Sequence, residues 1–249
     1  MPCVKLIYAY PLAFPDNKYI VCDLDEGRTF EDPLLLFNLP EYDIFNANEE
    51  GLYAIGGLID TETLVKSYKW GIFPWFPYKE SGEAYWYCPR KRFVIFPDKI
   101  HVSHSLRSLL NKEKYHITIN QAFPEVIHNC RIVNKRDEHE QAWLSDAIER
   151  IFIELHKLGY AKSVEVWEGN ELIGGFYGFW YKGVFQGDSM FSIRPSASQI
   201  GLIMFCRLGR IEETKIKFID TQFETPTFKR LGGEYISYKK YRELMELYP

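Results

Sequence analysis

Along the second half of the chain the apolar positions change period several times, and each change marks an element. Within Gln141 to Leu158, Ala147, Ile148, Ile151, Phe152 and Leu155 recur at helical spacing, and Gly159 stands where a C-cap belongs. A helix is expected there. Ser163-Val164-Glu165-Val166-Trp167 then alternates as a strand, Glu168-Gly169-Asn170 reads as a turn, and Leu172 to Trp180 returns as a second strand. A third strand is expected over Gly183 to Phe191, after the turn Tyr181-Lys182-Gly183. Ser196 or Ser198 then starts a helix running to about Glu213, and Lys217 to Phe223 reads as a further strand.

The first third has a different texture. Phe14-Pro15, Leu39-Pro40, Phe73-Pro74, Phe76-Pro77, Cys88-Pro89 and Phe96-Pro97 each push one residue toward extended geometry and remove a backbone donor. Short strands, turns and brief helices are expected, one of the helices over Asp60 to Lys69, where Leu64, Val65 and Tyr68 share a face. The order helix, antiparallel hairpins, helix, strand makes an α+β protein. Asn111 to Lys114 breaks the pattern and sets an expected boundary between residues 1–115 and 116–249.

Composition changes this picture in two places. No run approaches the ~18 apolar residues of a membrane span, and Met1 to Phe14 shows no basic leader or cleavage site, so a cytoplasmic protein is expected. The net charge of −4 hides an uneven distribution: residues 23–62 carry eleven acidic side chains and one basic, whereas Arg90, Lys91, Arg92, Lys99, Arg107, Lys112 and Lys114 crowd residues 90–114. That basic stretch reads either as a solvated surface or as a track for a phosphate backbone. The five cysteines are scattered and never form C-x-x-C, so reduced thiols are expected.

The common catalytic signatures are missing. There is no H-E-x-x-H, no G-x-S-x-G, no G-x-G-x-x-G and no Walker loop, and neither a metal nor a covalent nucleophile is expected. What remains is a pair of polar-in-apolar strings, Gly187-Asp188-Ser189-Met190-Phe191 and Phe218-Ile219-Asp220-Thr221-Gln222. Asp220 and Gln222 sit two apart on an expected strand and so should share one face. An inward carboxylate and carboxamide have either each other as structural partners or a task.

Six strings in this order, Gly71-Ile72-Phe73-Pro74-Trp75-Phe76, Gln141-Ala142-Trp143-Leu144, Ser163-Val164-Glu165-Val166-Trp167, Gly174-Gly175-Phe176-Tyr177-Gly178, Gly187-Asp188-Ser189-Met190-Phe191-Ser192 and Ile219-Asp220-Thr221-Gln222, resemble the leucyl/phenylalanyl-tRNA–protein transferases. The resemblance spans about residues 51–245; before it, only Ala13-Phe14-Pro15 is similar. It implies a small N-terminal α/β domain followed by a GNAT-like acyltransferase domain with a mixed, mostly antiparallel sheet. It also implies transfer of leucine, phenylalanine or methionine from aminoacyl-tRNA to proteins beginning with Lys or Arg, creating an N-end-rule degradation signal, with no cofactor.

By that resemblance Asp220 and Gln222 are catalytic, and Asp188 faces the cationic acceptor end. Phe176, Phe185, Met190, Leu202, Phe205 and Ile219 wall the donor side-chain cavity, while Trp75 and Trp143 offer flat rings for the terminal adenine. Arg90, Lys91, Arg92, Arg107, Lys112 and Lys114 meet the acceptor-stem phosphates. Two departures stand out: Asp188 replaces the family's usual glutamate, and Gln199 replaces the lysine that follows Ser198. The alternatives are an acetyl-coenzyme A-dependent N-acyltransferase, or a module that binds tRNA or basic N-termini without turnover.

Overall fold

The structure is a computed structural model describing residues 22–23, 28–29, 51–55, 59–75, 85–112, 114–133, 144–210 and 215–246. The chain divides into two compact units, residues 1–90 with 138–144 and residues 91–137 with 145–249. The boundary expected near residues 111–120 falls inside the second unit, because Lys91–Ile95 is a strand of that unit's sheet.

In the first unit, β1 (Cys22–Asp23) and β2 (Arg28–Thr29) form a short antiparallel ladder. β3 (Leu52–Ile55), α1 (Thr61–Lys69), β4 (Phe73–Trp75) and β5 (Tyr85–Tyr87) follow, with the strands in the antiparallel order β3-β5-β4. α1 begins where a cap was expected: the Asp60 carboxylate accepts the Thr63 N–H at 2.7 Å. Leu64 and Tyr68 are buried by it, and Gly71, at φ 75°, turns the chain into β4.

The second unit contains β6 (Lys91–Ile95), α2 (His104–Leu110), β7 (Tyr115–Ile119), α3 (Phe123–Ile132), α4 (Asp146–Lys157), β8 (Ala161–Glu168), β9 (Glu171–Tyr181), β10 (Val184–Ser192), α5 (Ala197–Leu208), β11 (Phe218–Gln222), α6 (Pro226–Arg230), β12 (Glu234–Ser237) and α7 (Tyr238–Glu246). Its mixed seven-stranded sheet runs β12-β6-β11-β10-β9-β8-β7, antiparallel except between β10 and β11. The fold is α+β, as the pattern indicated.

Helices cover the sheet on both sides, and two adjacent glycines show which side each takes. A Cβ on Gly174 would meet Ala197 of α5, whereas one on Gly175 would meet Val126 of α3. Consecutive strand residues point to opposite faces, so α5 lies on one face and α3 on the other. Under α5 sit Ile95, Val164, Phe176, Phe185 and Ile219. On the α3 face, Tyr177 meets Phe123 and Phe152 edge-on at 5.9 and 5.1 Å.

Candidate active site

The parallel ladder between β10 and β11 is short. It pairs Val184 with Phe218, Phe185 with Ile219 and Gln186 with Asp220, although β10 continues to Ser192. Past that point both strands bulge. In β10 the register against β9 shifts between Gly187 and Ser189, leaving Asp188 as the extra residue; in β11 the register against β6 shifts between Asp220 and Gln222. Bulges re-aim side chains and end regular pairing, and here two of them stand at the same end of the one parallel pair.

The second bulge corrects the expectation that Asp220 and Gln222 share a face. Asp220 lies opposite Val94 and Gln222 opposite Phe93, so the two occupy register positions of opposite faces. Asp220, next to Ile219, points away from the α5 side. It is fully buried, and its carboxylate takes a two-pronged ion pair from Arg92, Nε to Oδ1 at 3.2 Å and Nη2 to Oδ2. Oδ1 also accepts the backbone N–H of Gln222 at 2.9 Å. Gln222 is thereby held in the left-handed region at φ 65°, a conformation a glutamine seldom adopts. Its side chain is half-buried.

Arg92, expected among the phosphate-facing cations, does not reach solvent. Its side chain is 0 % exposed, committed to Asp220, with its guanidinium carbon 4.9 Å from the centre of the Tyr241 ring. The signal was present in the sequence: Phe93-Val94-Ile95-Phe96 is a continuous apolar run of the kind found in a central strand, and a residue beside it in that strand is buried. Arg90, Lys91, Arg107, Lys112 and Lys114 are exposed, Lys114 paired with Glu168 at 2.9 Å.

All six expected cavity residues belong to one apolar cluster under α5. The rings of Phe176, Phe185 and Phe205 meet one another edge-on, with centroids 5.5, 5.7 and 5.3 Å apart. Met190, partly buried, lies opposite Phe176 in the register of β9 and β10. Cys206 is in the same cluster, and burial pushes its thiol up to about 12, which removes it as a nucleophile near neutral pH. Trp75 belongs to the first unit, is 41 % exposed and has its ring 5.5 Å from that of Tyr87. Trp143 lies outside the described residues. Among the described residues, no group of His, Cys, Asp and Glu has the arrangement of a metal site, and no helix is long and apolar enough to cross a membrane.

Residues 94–246 match the family model described as leucyl/phenylalanyl-tRNA protein transferase, and residues 57–90 match that family's N-terminal domain. The chain is 38% identical to the leucyl/phenylalanyl-tRNA–protein transferase of Syntrophus aciditrophicus, over 80% of this chain and 81% of the relative. It is 43% identical to that of Flavobacterium psychrophilum, over 75% of this chain and 88% of the relative. Among solved structures, L-PGS from Bacillus licheniformis superposes with a TM-score of 0.37 at 14% identity, covering 77% of this chain and 69% of that one, too slight a likeness to bear on fold or function.

Proposed function

The chain belongs to the leucyl/phenylalanyl-tRNA–protein transferase family and is an aminoacyltransferase acting on tRNA and protein substrates, and from that premise we propose how its residues carry the reaction. The donor is leucine, phenylalanine or methionine on the 3′ end of tRNA, and the acceptor is a protein beginning with Lys or Arg, which the added residue marks for degradation. The amine nitrogen attacks the ester carbonyl carbon. The bond from that carbon to the ribose oxygen then breaks, and the proton lost from nitrogen ends on that oxygen. The ester is already activated and the attacking α-amine has an ordinary pKa of about 7.7–8.0, so positioning and loss of one proton meet much of the barrier. No covalent enzyme intermediate is needed.

The observation that carries this reading is the position of Gln222. It sits at the end of the parallel pair, at a register position of the face that holds the apolar cluster, in a backbone conformation fixed by Asp220. A carboxamide is not a base near neutral pH, but its oxygen accepts a hydrogen bond from an ammonium or amine. Gln222 therefore orients the acceptor amine, and Asp220 stands behind it as its fixed support. Direct proton removal by Asp220 fits less well, since its carboxylate is fully buried and already occupied by Arg92 and the Gln222 N–H. Asp188, on the neighbouring bulge, supplies the negative charge for a Lys or Arg first residue. The end of the β10–β11 ladder at Gln186 and Asp220, with a bulge on each strand just beyond it, is what supports a GNAT-like domain, in which a donor lies where two parallel strands part. Incubating the protein with leucyl-tRNA and peptides beginning with Arg or Ala tests the assignment. A leucine-extended Arg peptide is expected, and the absence of any extended peptide would overturn it.

Two further expectations concern the donor. Phe205→Ala removes one ring of the aromatic triad, so preference should move from leucine toward phenylalanine-sized side chains, at a stability cost of about 3–5 kcal/mol. Competition between leucyl- and phenylalanyl-tRNA measures the first and thermal melting the second; an unchanged preference would take Phe205 out of the cavity wall. The exposed cations should bind phosphates, so Arg107→Ala and Lys112→Ala should each reduce the log–log salt slope of tRNA binding by about 1. A slope unchanged in both variants would remove α2 and its end from the tRNA contact.

A further inference from the structure

Behind the catalytic strand lies a buried polar cluster of which the reaction as described uses only Asp220. Arg92 of β6, Asp220 of β11, Gln186 of β10 and Tyr241 of α7 are each 0 % exposed. The Tyr241 hydroxyl donates to Gln186 Oε1 at 3.1 Å, and Gln186 is the register partner of Asp220 at the last rung of the parallel ladder. The Tyr241 ring lies 4.9 Å from the Arg92 guanidinium carbon, which places the ring against the ion pair. Burial first, and the Asp220 charge second, push the Tyr241 phenol well above its usual value, so its hydroxyl stays protonated and remains a donor.

Two hydrophobic side chains would fill a core at this place with less risk, since a buried ion pair is weak evidence of stability in itself. This pair makes one connection that a hydrophobic pair cannot. The Asp220 oxygen that accepts Arg92 Nε is the same oxygen that accepts the Gln222 N–H. The guanidinium fork fixes the carboxylate plane, and the carboxylate fixes the left-handed turn of Gln222. Resting on the reading of Gln222 given above, we propose that Arg92 and Tyr241 are positioning residues for the transfer reaction: Arg92 holds the Asp220 carboxylate directly, Tyr241 holds Gln186, its rung partner, and through Asp220 both set the angle of the Gln222 carboxamide that the acceptor amine requires. Lysine cannot replace arginine in this role, because a point charge does not orient a carboxylate plane.

The experiment is a set of double-mutant cycles read in single-turnover transfer from leucyl-tRNA to an Arg-starting peptide, with thermal melting recorded for every protein. Arg92→Lys and Tyr241→Phe should each lower the transfer rate, Arg92→Lys by roughly tenfold to a hundredfold, with tRNA affinity unchanged. In a Gln222→Ala background the same two changes should have almost no further effect on the rate, while their shifts in melting temperature persist. A merely structural role predicts the opposite: rate losses that multiply in both backgrounds, or none in either, and either result overturns the proposal. Should Arg92→Lys fail to fold, Tyr241→Phe, which deletes a single hydroxyl, decides the matter by the same cycle. If Gln222→Ala alone left the rate intact, the assignment of Gln222 would fall. If it lowered the rate while the cycles stayed multiplicative, only the positioning role would fall.

Discussion

Asp220→Ala is expected to slow transfer as far as loss of the Gln222 carboxamide does, roughly a hundredfold to a thousandfold, and to lower stability by about 3–5 kcal/mol, because it leaves a buried guanidinium with no counter-charge. The two losses have different origins. The stability loss comes from Arg92, which is 0 % exposed and has its fork directed at the missing carboxylate. The activity loss comes from the Gln222 N–H, which no longer has the acceptor that holds it in the left-handed region. Asp220→Asn separates them. It keeps an oxygen for the Gln222 N–H but presents a neutral amide to Arg92, so it should still destabilise while retaining more transfer than the alanine variant. Melting curves and single-turnover rates on the same preparations measure both. Equal activity in the two variants would show that the side-chain oxygen accepting the Gln222 N–H does not matter.

Much of this geometry could be read from the chain, and the parts that could not have local causes. The alternation of Ser163 to Trp167 located β8, and the run Leu172 to Trp180 located β9, although both strands are covered on both faces: the polar Ser163 and Glu165 are buried and hydrogen-bond each other. Gly159 ended α4 at a φ of 84° as its position suggested. By contrast, the helix expected to run to about Glu213 stops at Leu208 with Gly209 as its cap. The helix expected from Gln141 begins at Asp146, where Ser145 accepts the Ile148 N–H; Gln141 to Trp143 lie outside the described residues. β6, β7 and β12 are not among the expected strands: each is made a strand by pairing with a segment distant in sequence, which no local pattern announces.

The candidate site was legible as residue types and not as geometry. The apolar wall residues, which the family resemblance implied, do gather in one cluster, with Leu202 and Phe205 three apart on α5 and Ile219 on β11 beneath it. Asp220 and Gln222 were read as neighbours on one face because a period of two was assumed through Thr221. A bulge adds one residue to one strand only, and nothing in Asp220-Thr221-Gln222 announces it before its partner strand is known. Arg92 was assigned by charge to the phosphate track when its place in an apolar strand already favoured burial. A single arginine within an apolar strand needs a buried counter-charge, and Asp220 supplies it.

The second large effect concerns Gln222, the side chain proposed to meet the acceptor amine in front of that buried pair. Gln222→Ala removes the carboxamide and leaves the Asp220–Arg92 pair and the backbone N–H contact in place, so stability should change by less than about 1 kcal/mol. Loss of a single oriented polar contact at a reacting centre costs roughly a hundredfold to a thousandfold in rate. Gln222→Glu keeps an acceptor oxygen and should recover part of that loss, provided the added charge does not disturb the ion pair behind it. Single-turnover transfer by Gln222→Ala, with leucyl-tRNA prebound and the Arg-starting peptide saturating, is therefore the sharpest test. The expected outcome is a rate about a hundredfold or more below that of the unaltered protein, with leucyl-tRNA affinity and melting temperature preserved. A rate within twofold of the unaltered protein would contradict the account, since the acceptor amine would then be held by some other group.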